Sequence, residues 1–394
     1  MAIRGDERIL LIAGTREGLY LYESTCEREA WTCRTVSLPN HEISHAILDP
    51  RDARTIWAAA TGEGHTSVYR SIDLGATWGM AGEPFDCDAI WHVEPGHASQ
   101  PGRVYVGVKP AALYVSDDHG ANWTSMDGLN RHASREEWWE GGAGLILHTI
   151  VTNQHDPNDL MVAISVAGVF RSSDGGVSWQ PSNEGTLSMA EAWTSGFGNA
   201  SARHPGVHRC VHKVVRSPRD PAVLVQQNHD GVYRSDDHGA SWVDIADGIR
   251  DRFGFVIGAT RDGSVYVVPQ DMGQVRFSGQ RTVYRMRDGT TTWDSLTTGL
   301  PEVDNLTLYR EGMATDNCDP GGVYFGTCEG DIYGTRDGGE TWRRIASGMP
   351  PVLSVSCEHF TQMRADTRGD VAAVVLVHQE LQSGFGERSR LGSQ

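Results

Sequence analysis

The sequence VYRSDDHGASW at residues 232–242 is the feature that most restricts the fold of this chain. Two apolar positions lead into a turn marked by Ser235, Asp237 and Gly239, and Trp242 opens the next strand. The pattern, S-x-D-x-G-x-[T/S]-W with small variations, recurs at residues 71–78, 116–123, 172–179 and 335–342. Two further copies are eroded. One keeps only Asp288 and Trp293, and the other keeps only Ser24 and Trp31.

Seven tryptophans end these motif copies, and they are separated by 47, 45, 56, 63, 51 and 49 residues. They are Trp31, Trp78, Trp123, Trp179, Trp242, Trp293 and Trp342. A period of this length is typical of a repeat architecture, in which each unit is a small sheet that cannot bury its faces alone. The spacing therefore predicts seven such units.

The five well-preserved copies resemble the Asp-box, or BNR, repeat of sialidases and other β-propeller proteins, and the resemblance covers nearly the whole chain. It implies an all-β, seven-bladed β-propeller of four-stranded antiparallel blades. In that family the box forms the hairpin between the third and fourth strands of a blade. There the Asp carboxylate accepts backbone N–H bonds and the Gly supplies a positive φ. We therefore expect the box residues to stabilise turns rather than perform chemistry.

The first repeat has no innermost strand ahead of Ile9, so another part of the chain must supply one. Residues 352–357 follow the last box at the right distance. Their pairing with the N-terminal strands would close the ring without an open edge. We expect a single domain over residues 1–378 and a C-terminal tail over 379–394, with a further strand in 366–378 left unplaced.

The composition restricts the partners and the compartment. A formal net charge of −17 excludes nucleic acid and anionic membrane surfaces as expected partners, and no apolar run is long enough to span a bilayer. Seven cysteines without C-x-x-C spacing favour reduced thiols in a cytoplasm, and the N-terminal residues lack a cleavage site. We expect a cytoplasmic protein that binds a small-molecule substrate, and leave open its assembly into a homo-oligomer.

Four histidines, His45, His92, His148 and His212, stand near the start of the predicted innermost strand in four successive repeats. The innermost strands of a propeller line its central channel, so equivalent positions in adjacent blades point to a common space. Several imidazoles with little carboxylate suit a transition metal better than Mg²⁺ or Ca²⁺. The sequence thus predicts a divalent transition metal on these four side chains, with Fe(II) as first choice and Mn, Cu or Zn as alternatives. The other interpretation is that the histidines only fill a wet channel.

Two of the loops that precede innermost strands are longer than the others, and long loops on a rigid scaffold often carry function. They hold EEWWE at residues 136–140 and the segment 191–208. The predicted acids or bases are Glu63 and Glu137. The predicted substrate-binding residues are Trp138, Trp139, His65, Lys109 and His229. The tryptophans are expected to stack on a ligand or to close over the channel.

The sialidase motifs themselves are missing. That family uses an arginine triad and an F/Y-R-I-P segment, whereas Ile3-Arg4-Gly5 lacks the proline and the channel positions carry histidine. Because fold does not determine function, three interpretations follow. The first is a metal-dependent enzyme that acts on a small organic or sugar-like substrate, with an oxidative reaction as one option. The alternatives are a metal-free glycoside hydrolase or lyase, and a non-enzymatic scaffold that binds another protein.

Overall fold

The computed structural model describes residues 6–189, 203–204, 206–270, 282–302, 306–362 and 374–375. Seven antiparallel sheets are arranged as the blades of a propeller. The predicted all-β fold is thereby confirmed. The described residues include one short helix, α1 (Asp127–Asn130), and a 3₁₀ turn at Arg135–Glu137. No helix in the described ranges is long and apolar enough to cross a membrane.

The strands follow one another blade by blade, from the channel outwards in blades 2 to 7. Blade 1 contains β1 (Asp6–Thr15), β2 (Gly18–Thr25) and β3 (Thr32–Ser37). Blade 2 contains β4 (Glu42–Leu48), β5 (Ile56–Gly62), β6 (His65–Ser71) and β7 (Gly79–Met80). Blade 3 contains β8 (Ala89–Pro95), β9 (Val104–Lys109), β10 (Ala112–Ser116) and β11 (Thr124–Ser125). Blade 4 contains β12 (Leu147–Val151), β13 (Leu160–Ile164), β14 (Gly168–Ser172) and β15 (Gln180–Pro181).

The second half of the ring repeats this order. Blade 5 contains β16 (Val211–Arg216), β17 (Leu224–Asn228), β18 (Gly231–Ser235) and β19 (Val243–Asp244). Blade 6 contains β20 (Gly254–Ala259), β21 (Val265–Pro269), β22 (Val283–Met286) and β23 (Trp293–Leu296). Blade 7 contains β24 (Met313–Thr315), β25 (Val323–Gly326), β26 (Ile332–Thr335) and β27 (Arg343–Ala346). The innermost strand of blade 1 is β28 (Val352–Gln362), which follows the strands of blades 2 to 7 in the chain.

The core lies between neighbouring blades rather than within any one of them. Trp57 of blade 2 packs in one apolar cluster with Ile90 and Val106 of blade 3, and all three are almost fully buried. Each innermost strand contacts the innermost strands of the two adjacent blades, so β28, β4, β8, β12, β16, β20 and β24 surround the channel. A sheet that buries both faces in this way explains the nearly continuous apolar runs of the middle strands.

The ring is closed by antiparallel pairing between the two ends of the described chain. β1 runs beside β28, with Leu11 opposite Cys357 and Ala13 opposite Val355. This pairing confirms the predicted closure. A short strand, β29 (Val374–Val375), pairs with the far end of β28 and is the described part of the unplaced segment 366–378. The predicted tail at 379–394 lies outside the described residues.

The five motif copies form the same turn. In blade 5 the Ser235 hydroxyl donates to Asp237 Oδ1 at 2.7 Å and accepts the Gly239 N–H at 2.8 Å. The Asp237 carboxylate also accepts the backbone N–H and the hydroxyl of Ser241, at 2.9 and 2.7 Å. Gly239 has a φ of 85°, which an L-residue with a Cβ rarely adopts. The same bonds recur around the aspartates of the other copies: Asp73, Asp118, Asp174 and Asp337.

The motif tryptophans connect adjacent blades. Trp123 Nε1 donates to the Ala81 carbonyl of blade 2 at 3.0 Å, and Trp242 Nε1 donates to the Ser182 carbonyl of blade 4 at 2.8 Å. These two rings therefore satisfy a backbone acceptor at the edge of the preceding sheet, whereas Trp78 and Trp179 donate to the Gly75 and Gly176 carbonyls of their own turns. These contacts explain why the aromatic residue recurs at a fixed place in each repeat.

We predict that the motif carboxylates make stability depend on acid pH. Hydrogen bonds from the backbone and hydroxyl of Ser241 lower the pKa of Asp237 from 3.8 to about 2. A lowered pKa contributes stability that is complete above the ordinary value and is lost as pH falls through the folded value. Asp237→Asn should therefore have a lower melting temperature than wild type at neutral pH. The difference in melting temperature should become smaller as the pH falls from about 4 to about 2. Thermal melts across this range provide the measurement.

Asp236→Asn is the matched control, because Asp236 lies beside Asp237 but only pairs with Arg234 at the surface. Its melting temperature should differ little from wild type at any pH. If the difference in melting temperature between Asp237→Asn and wild type stays constant down to pH 2, the ionised carboxylate does not have the stabilising role given to it here.

A second prediction concerns ring closure. A chain that ends at residue 351 lacks β28 and leaves β1 with an unpaired edge toward the channel. We expect it to lose cooperative thermal unfolding and to aggregate in size-exclusion chromatography. A chain that ends at residue 378 keeps β28 and should melt like the full chain. Equal melting of the two truncated chains would refute the closure.

Candidate active site at the channel mouth

Six of the seven innermost strands contain a one-residue β-bulge near their start. In blade 2, Ile43 pairs with Ala60 and His45 with Ala59, so Ser44 is the extra residue. We call the extra residues that follow the last regular pair the bulge ring. It consists of Ser44, Trp91, His148, His212, Phe255 and Leu353. These side chains lie at one level of the channel in six blades.

The bulges separate the four predicted metal ligands into two sets. His148 and His212 belong to the bulge ring, whereas His45 and His92 come one position after it. A one-residue change of position in a strand turns a side chain in a different direction. Thr149 and Lys213 are the true counterparts of His45 and His92. The four imidazoles therefore do not converge on one point.

The bulge ring ties each blade to the next one. The Ser44 hydroxyl donates to the Ile90 carbonyl at 2.5 Å, and His212 Nδ1 bonds to the Gly254 carbonyl at 2.6 Å. His148 Nε2 bonds to the Val211 carbonyl at 3.1 Å, and its Nδ1 bonds to the Thr149 hydroxyl at 3.0 Å. Both nitrogens of His148 are thus engaged, so this histidine has no lone pair left for a metal in this arrangement.

His45 and His92 belong to a buried polar group that we call the channel cluster: His45, His92, Lys213 and Glu311. Glu311 comes just before β24 and is 4% exposed. Its Oε1 lies 3.2 Å from His92 Nδ1, its Oε2 lies 3.6 Å from His45 Nε2, and Lys213 Nζ bonds to Oε2. The carboxylate therefore holds side chains from blades 2, 3 and 5 together.

The charges in the channel cluster depend on one another. Burial alone would raise the pKa of Glu311, but Lys213 and His92 outweigh it and hold that pKa well below its ordinary value. Burial opposes protonation of His92, but Glu311 outweighs it and raises the pKa of His92. Burial and the neighbouring His92 lower the pKa of His45. Glu311 is thus ionised and Lys213 supplies its counter-charge.

The donor atoms of the channel cluster, two imidazoles and a carboxylate, are a set that Fe(II) enzymes use, but the geometry does not suit a metal. The His45 and His92 rings are stacked, with centroids 4.0 Å apart and planes 20° apart. The lone pairs of nearly parallel rings cannot both point at one ion about 2.1 Å away. Lys213 also occupies Glu311 with a positive charge that a metal would have to displace.

A second group, the thiol cluster, consists of Cys210, His212 and His229. One ligand atom from each lies within 4.8 Å of the others. Cys210 Sγ is 3.5 Å from His212 Nε2. The His212 and His229 rings are inclined by 71° with centroids 5.5 Å apart. Burial raises the pKa of the Cys210 thiol to about 11. Because the rings are inclined, their nitrogens are able to converge on a single point.

Aromatic residues surround the thiol cluster. Phe253 packs edge-on against both His212 and His229, and Phe255 lies over His212 with ring centroids 4.7 Å apart. Arg310 reaches toward the same place, with its guanidinium carbon 5.1 Å from the Phe255 ring centroid. The surroundings of the thiol cluster are thus apolar, with one nearby cation.

The two long loops are joined to each other by Glu137. Its carboxylate bonds to His204 Nδ1 at 2.5 Å, and its backbone carbonyl bonds to His208 Nε2 at 2.7 Å. Trp138 is buried against Phe170, and Trp139 packs on His208. Trp138 therefore belongs to the core rather than to an open binding surface, and Glu137 holds the loops together.

The remaining predicted site residues lie away from both clusters. Glu63 is exposed in the turn between β5 and β6, with a φ of 52°. His65 Nε2 bonds to the Tyr69 hydroxyl at 3.2 Å, within blade 2. The half-buried Lys109 ends β9 beside the loop at Gly144. Of the predicted substrate-binding residues, the structure brings only His229 next to a predicted metal ligand, His212.

Sequence reasoning missed Glu311, Lys213, Cys210 and Arg310. A signal for Lys213 was present, because the apolar residues Ile43, Ile90, Leu147 and Val211 mark the last position before each bulge. In blades 2 and 3 the histidine comes two positions after this apolar residue, but in blades 4 and 5 it comes only one position after it. The residue two positions after Val211, which matches His45 and His92, is Lys213. Glu311 and Arg310 come from a blade whose motif is intact but whose innermost strand is too short to recognise.

Two further carboxylates, Glu94 of β8 and Glu358 of β28, belong to innermost strands and come after the bulge in each strand. Burial, together with the charges of Glu94 and Asp49, raises the pKa of Glu358 to about 8. Glu94 also lies 3.6 Å from His92 Nε2. Glu358 is therefore protonated at neutral pH, and the channel holds a neutral acid below the channel cluster.

No family model and no curated protein matches this chain. Solved structures do resemble it. An ancestral GH74 enzyme has a TM-score of 0.57 and 17% identity over 77% of this chain and 38% of its own. A protein from Lactobacillus plantarum has a TM-score of 0.54 and 12% identity over 89% and 99%. YCF48 from Cyanidioschyzon merolae has a TM-score of 0.48 and 15% identity over 86% and 94%.

The likenesses to the ancestral GH74 enzyme and the Lactobacillus plantarum protein support the propeller fold and nothing finer, because fold alone does not carry function. The chain spans less than half the length of the ancestral GH74 enzyme.

We predict that Glu311→Gln destabilises the protein by about 3–5 kcal/mol, because it leaves Lys213 buried without a counter-charge. The double variant Glu311→Gln with Lys213→Met should recover a large part of this loss. Urea unfolding of the wild type, the two single variants and the double variant measures the coupling. Strictly additive losses would show that the two groups do not compensate each other.

Proposed function

We propose that this chain is a metal-dependent enzyme that acts on a small organic or sugar-like substrate at the channel mouth. A divalent transition metal would be held there by the thiol cluster. The observation that carries this proposal is the orientation of His212. Its Nδ1–H donates to the Gly254 carbonyl at 2.6 Å, which leaves the Nε2 lone pair directed toward Cys210. Metal-binding histidines are commonly oriented by such a second bond.

The distances fit a tetrahedral ion. With metal–sulfur and metal–nitrogen bonds of about 2.3 and 2.05 Å, two tetrahedral ligand atoms are about 3.6 Å apart. The observed separation between Cys210 Sγ and His212 Nε2 is 3.5 Å. A thiolate with two imidazoles suits Zn²⁺ or another soft divalent ion, and Fe²⁺ is also bound by such donors. The metal would release the thiol proton of Cys210 on binding.

Three protein ligands leave a fourth position for water or substrate, as in catalytic zinc sites. Cys210 and His229 are half-buried, so the cluster is reachable from the channel mouth. At such a position a metal polarises a carbonyl or lowers the pKa of bound water. The aromatic side chains around His212 exclude bulk water and strengthen these electrostatic effects.

A glycoside hydrolase without a metal is the second candidate function. Glu358 supports it, because a carboxylic acid that stays protonated at neutral pH is what general-acid catalysis requires. The ancestral GH74 enzyme has a similar fold. The burial of Glu358 in the channel weighs against access by a sugar chain, so we favour the metal site.

The prediction is that protein purified without a histidine tag takes up about one equivalent of Zn²⁺ or Co²⁺. The cobalt form should show thiolate-to-metal charge-transfer absorption in the near ultraviolet. His212→Asn keeps a donor for the Gly254 carbonyl but removes the Nε2 ligand, so it should lose the metal. Cys210→Ser should lose the charge-transfer band. Elemental analysis and absorption spectra provide the measurements.

His92→Gln is the matched control, because His92 is buried in the channel cluster but lies outside the thiol cluster. It should keep the metal and the absorption band. Loss of metal in His92→Gln but not in His212→Asn would shift the site to the channel cluster. A wild-type protein that takes up no transition metal would refute the proposal and leave the glycosidase and scaffold interpretations.

A further inference from the structure

Arg310 extends across the channel mouth from blade 7. Glu311 pairs in parallel with Ser354, the residue that follows the bulge of β28, so Arg310 stands level with the bulge ring. Its guanidinium carbon lies 5.1 Å from the ring centroid of Phe255 in blade 6 and 6.0 Å from that of Trp91 in blade 3. Arg310 is thus held between two aromatic members of the bulge ring.

The Arg310 side chain is half-buried, and one of its guanidinium N–H groups lacks an acceptor. Its Nε is buried without a hydrogen-bond partner among the described residues, and Arg310 forms no ion pair with a described carboxylate. The adjacent Glu311 is already bonded to Lys213 and His92. A buried donor without a partner costs free energy. This cost is accounted for if a ligand supplies the missing acceptor.

Trp91 adds a second donor at the same place. Other polar members of the bulge ring, namely Ser44, His148 and His212, each bond to a backbone carbonyl of the following blade. The indole Nε1 of Trp91 is buried and has no such partner in the described chain. Two neighbouring side chains therefore present N–H groups with no acceptor. An acceptor-only ligand fits this arrangement.

We propose that Arg310 and the indole N–H of Trp91 bind a carboxylate group of the substrate. One guanidinium without a counter-ion matches a single negative charge, whereas a phosphate dianion would need a second cation, and Lys213 is already paired. The planar guanidinium suits two parallel bonds to a carboxylate. The flanking rings of Trp91 and Phe255 suit an apolar or aromatic portion of the same molecule.

The carboxylate subsite and the thiol cluster are adjacent. Phe255 lies beside both of them, with its ring centroid 5.1 Å from the Arg310 guanidinium carbon and 4.7 Å from the His212 ring centroid. A ligand anchored at Arg310 therefore places its other end toward the thiol cluster. This inference deepens the proposed function, since it names a small carboxylic acid as the substrate class. The anchoring itself does not require the metal.

Benzoate is a suitable probe, with benzamide as its neutral counterpart and inorganic phosphate as the competing anion. Isothermal titration of the metal-free protein should show binding of benzoate, and binding of benzamide and phosphate that is at least about tenfold weaker. Arg310→Gln should weaken benzoate binding at least about tenfold, and Trp91→Phe, which removes only the N–H, several-fold. Arg252→Gln, at an exposed arginine, is the matched control and should bind as wild type does.

Stability gives an independent readout. Arg310→Gln removes a half-buried charge that has no ion pair among the described residues. The variant should therefore melt at or above the wild-type temperature in the absence of ligand, whereas the loss of a merely structural arginine would lower the melting temperature. Benzoate binding in the metal-free protein supports the subsite even if metal uptake fails. The subsite is overturned if neither the metal-free nor the metal-loaded protein binds benzoate. It is also overturned if only the metal-loaded protein binds benzoate and Arg310→Gln does not change that binding. Both results leave the metal proposal standing.

Discussion

The one-residue bulge in the innermost strands decides which side chains face the channel and which ones join the blades. At the bulge the chain carries an extra side chain, and Ser44, His148 and His212 use it to bond to a carbonyl of the next blade. The residue after the bulge points into the channel instead. The bulge therefore joins neighbouring blades. At the same level of the channel it also separates the polar side chains into two groups, those at the bulge and those just after it.

The two groups differ in how their charges are balanced. In the channel cluster Glu311 is bonded to Lys213 and His92, so the buried carboxylate and ammonium compensate each other. At the level of the bulge ring, Arg310 has aromatic neighbours but no acceptor among the described residues. A balanced group stabilises the ring as it stands, whereas an unbalanced cation is stabilised only by an added anion. This difference is the reason why we propose a ligand site at the mouth of the channel.

The long loops contribute to the mouth in a different way from the one their sequence predicted. Glu137 bonds to His204 and His208, and Trp138 is buried against Phe170, so these residues fasten the two loops to blade 4. Acidic and aromatic residues in a long loop predict a binding surface, but the same residue types also supply the bonds that hold such a loop in place. Only the packing distinguishes the two.

The sequence by itself determined the seven blades, the turn at each motif and the closure of the ring. These features depend on local hydrogen bonds, such as those of Asp237 and Ser241, and on a repeat length that is visible in the chain. It also predicted His212 as a metal ligand and His229 as a substrate-binding residue, and these remain predictions. Only the tertiary structure decided that His45 and His92 meet Glu311 while His212 meets Cys210. That outcome depends on a bulge of one residue. The bulge changes the direction in which a side chain points, but it leaves no mark in the pattern of apolar residues along the sequence. Arg310 and Glu311 come from blade 7, far along the chain from the histidines, and only closing the ring brings them to the same place.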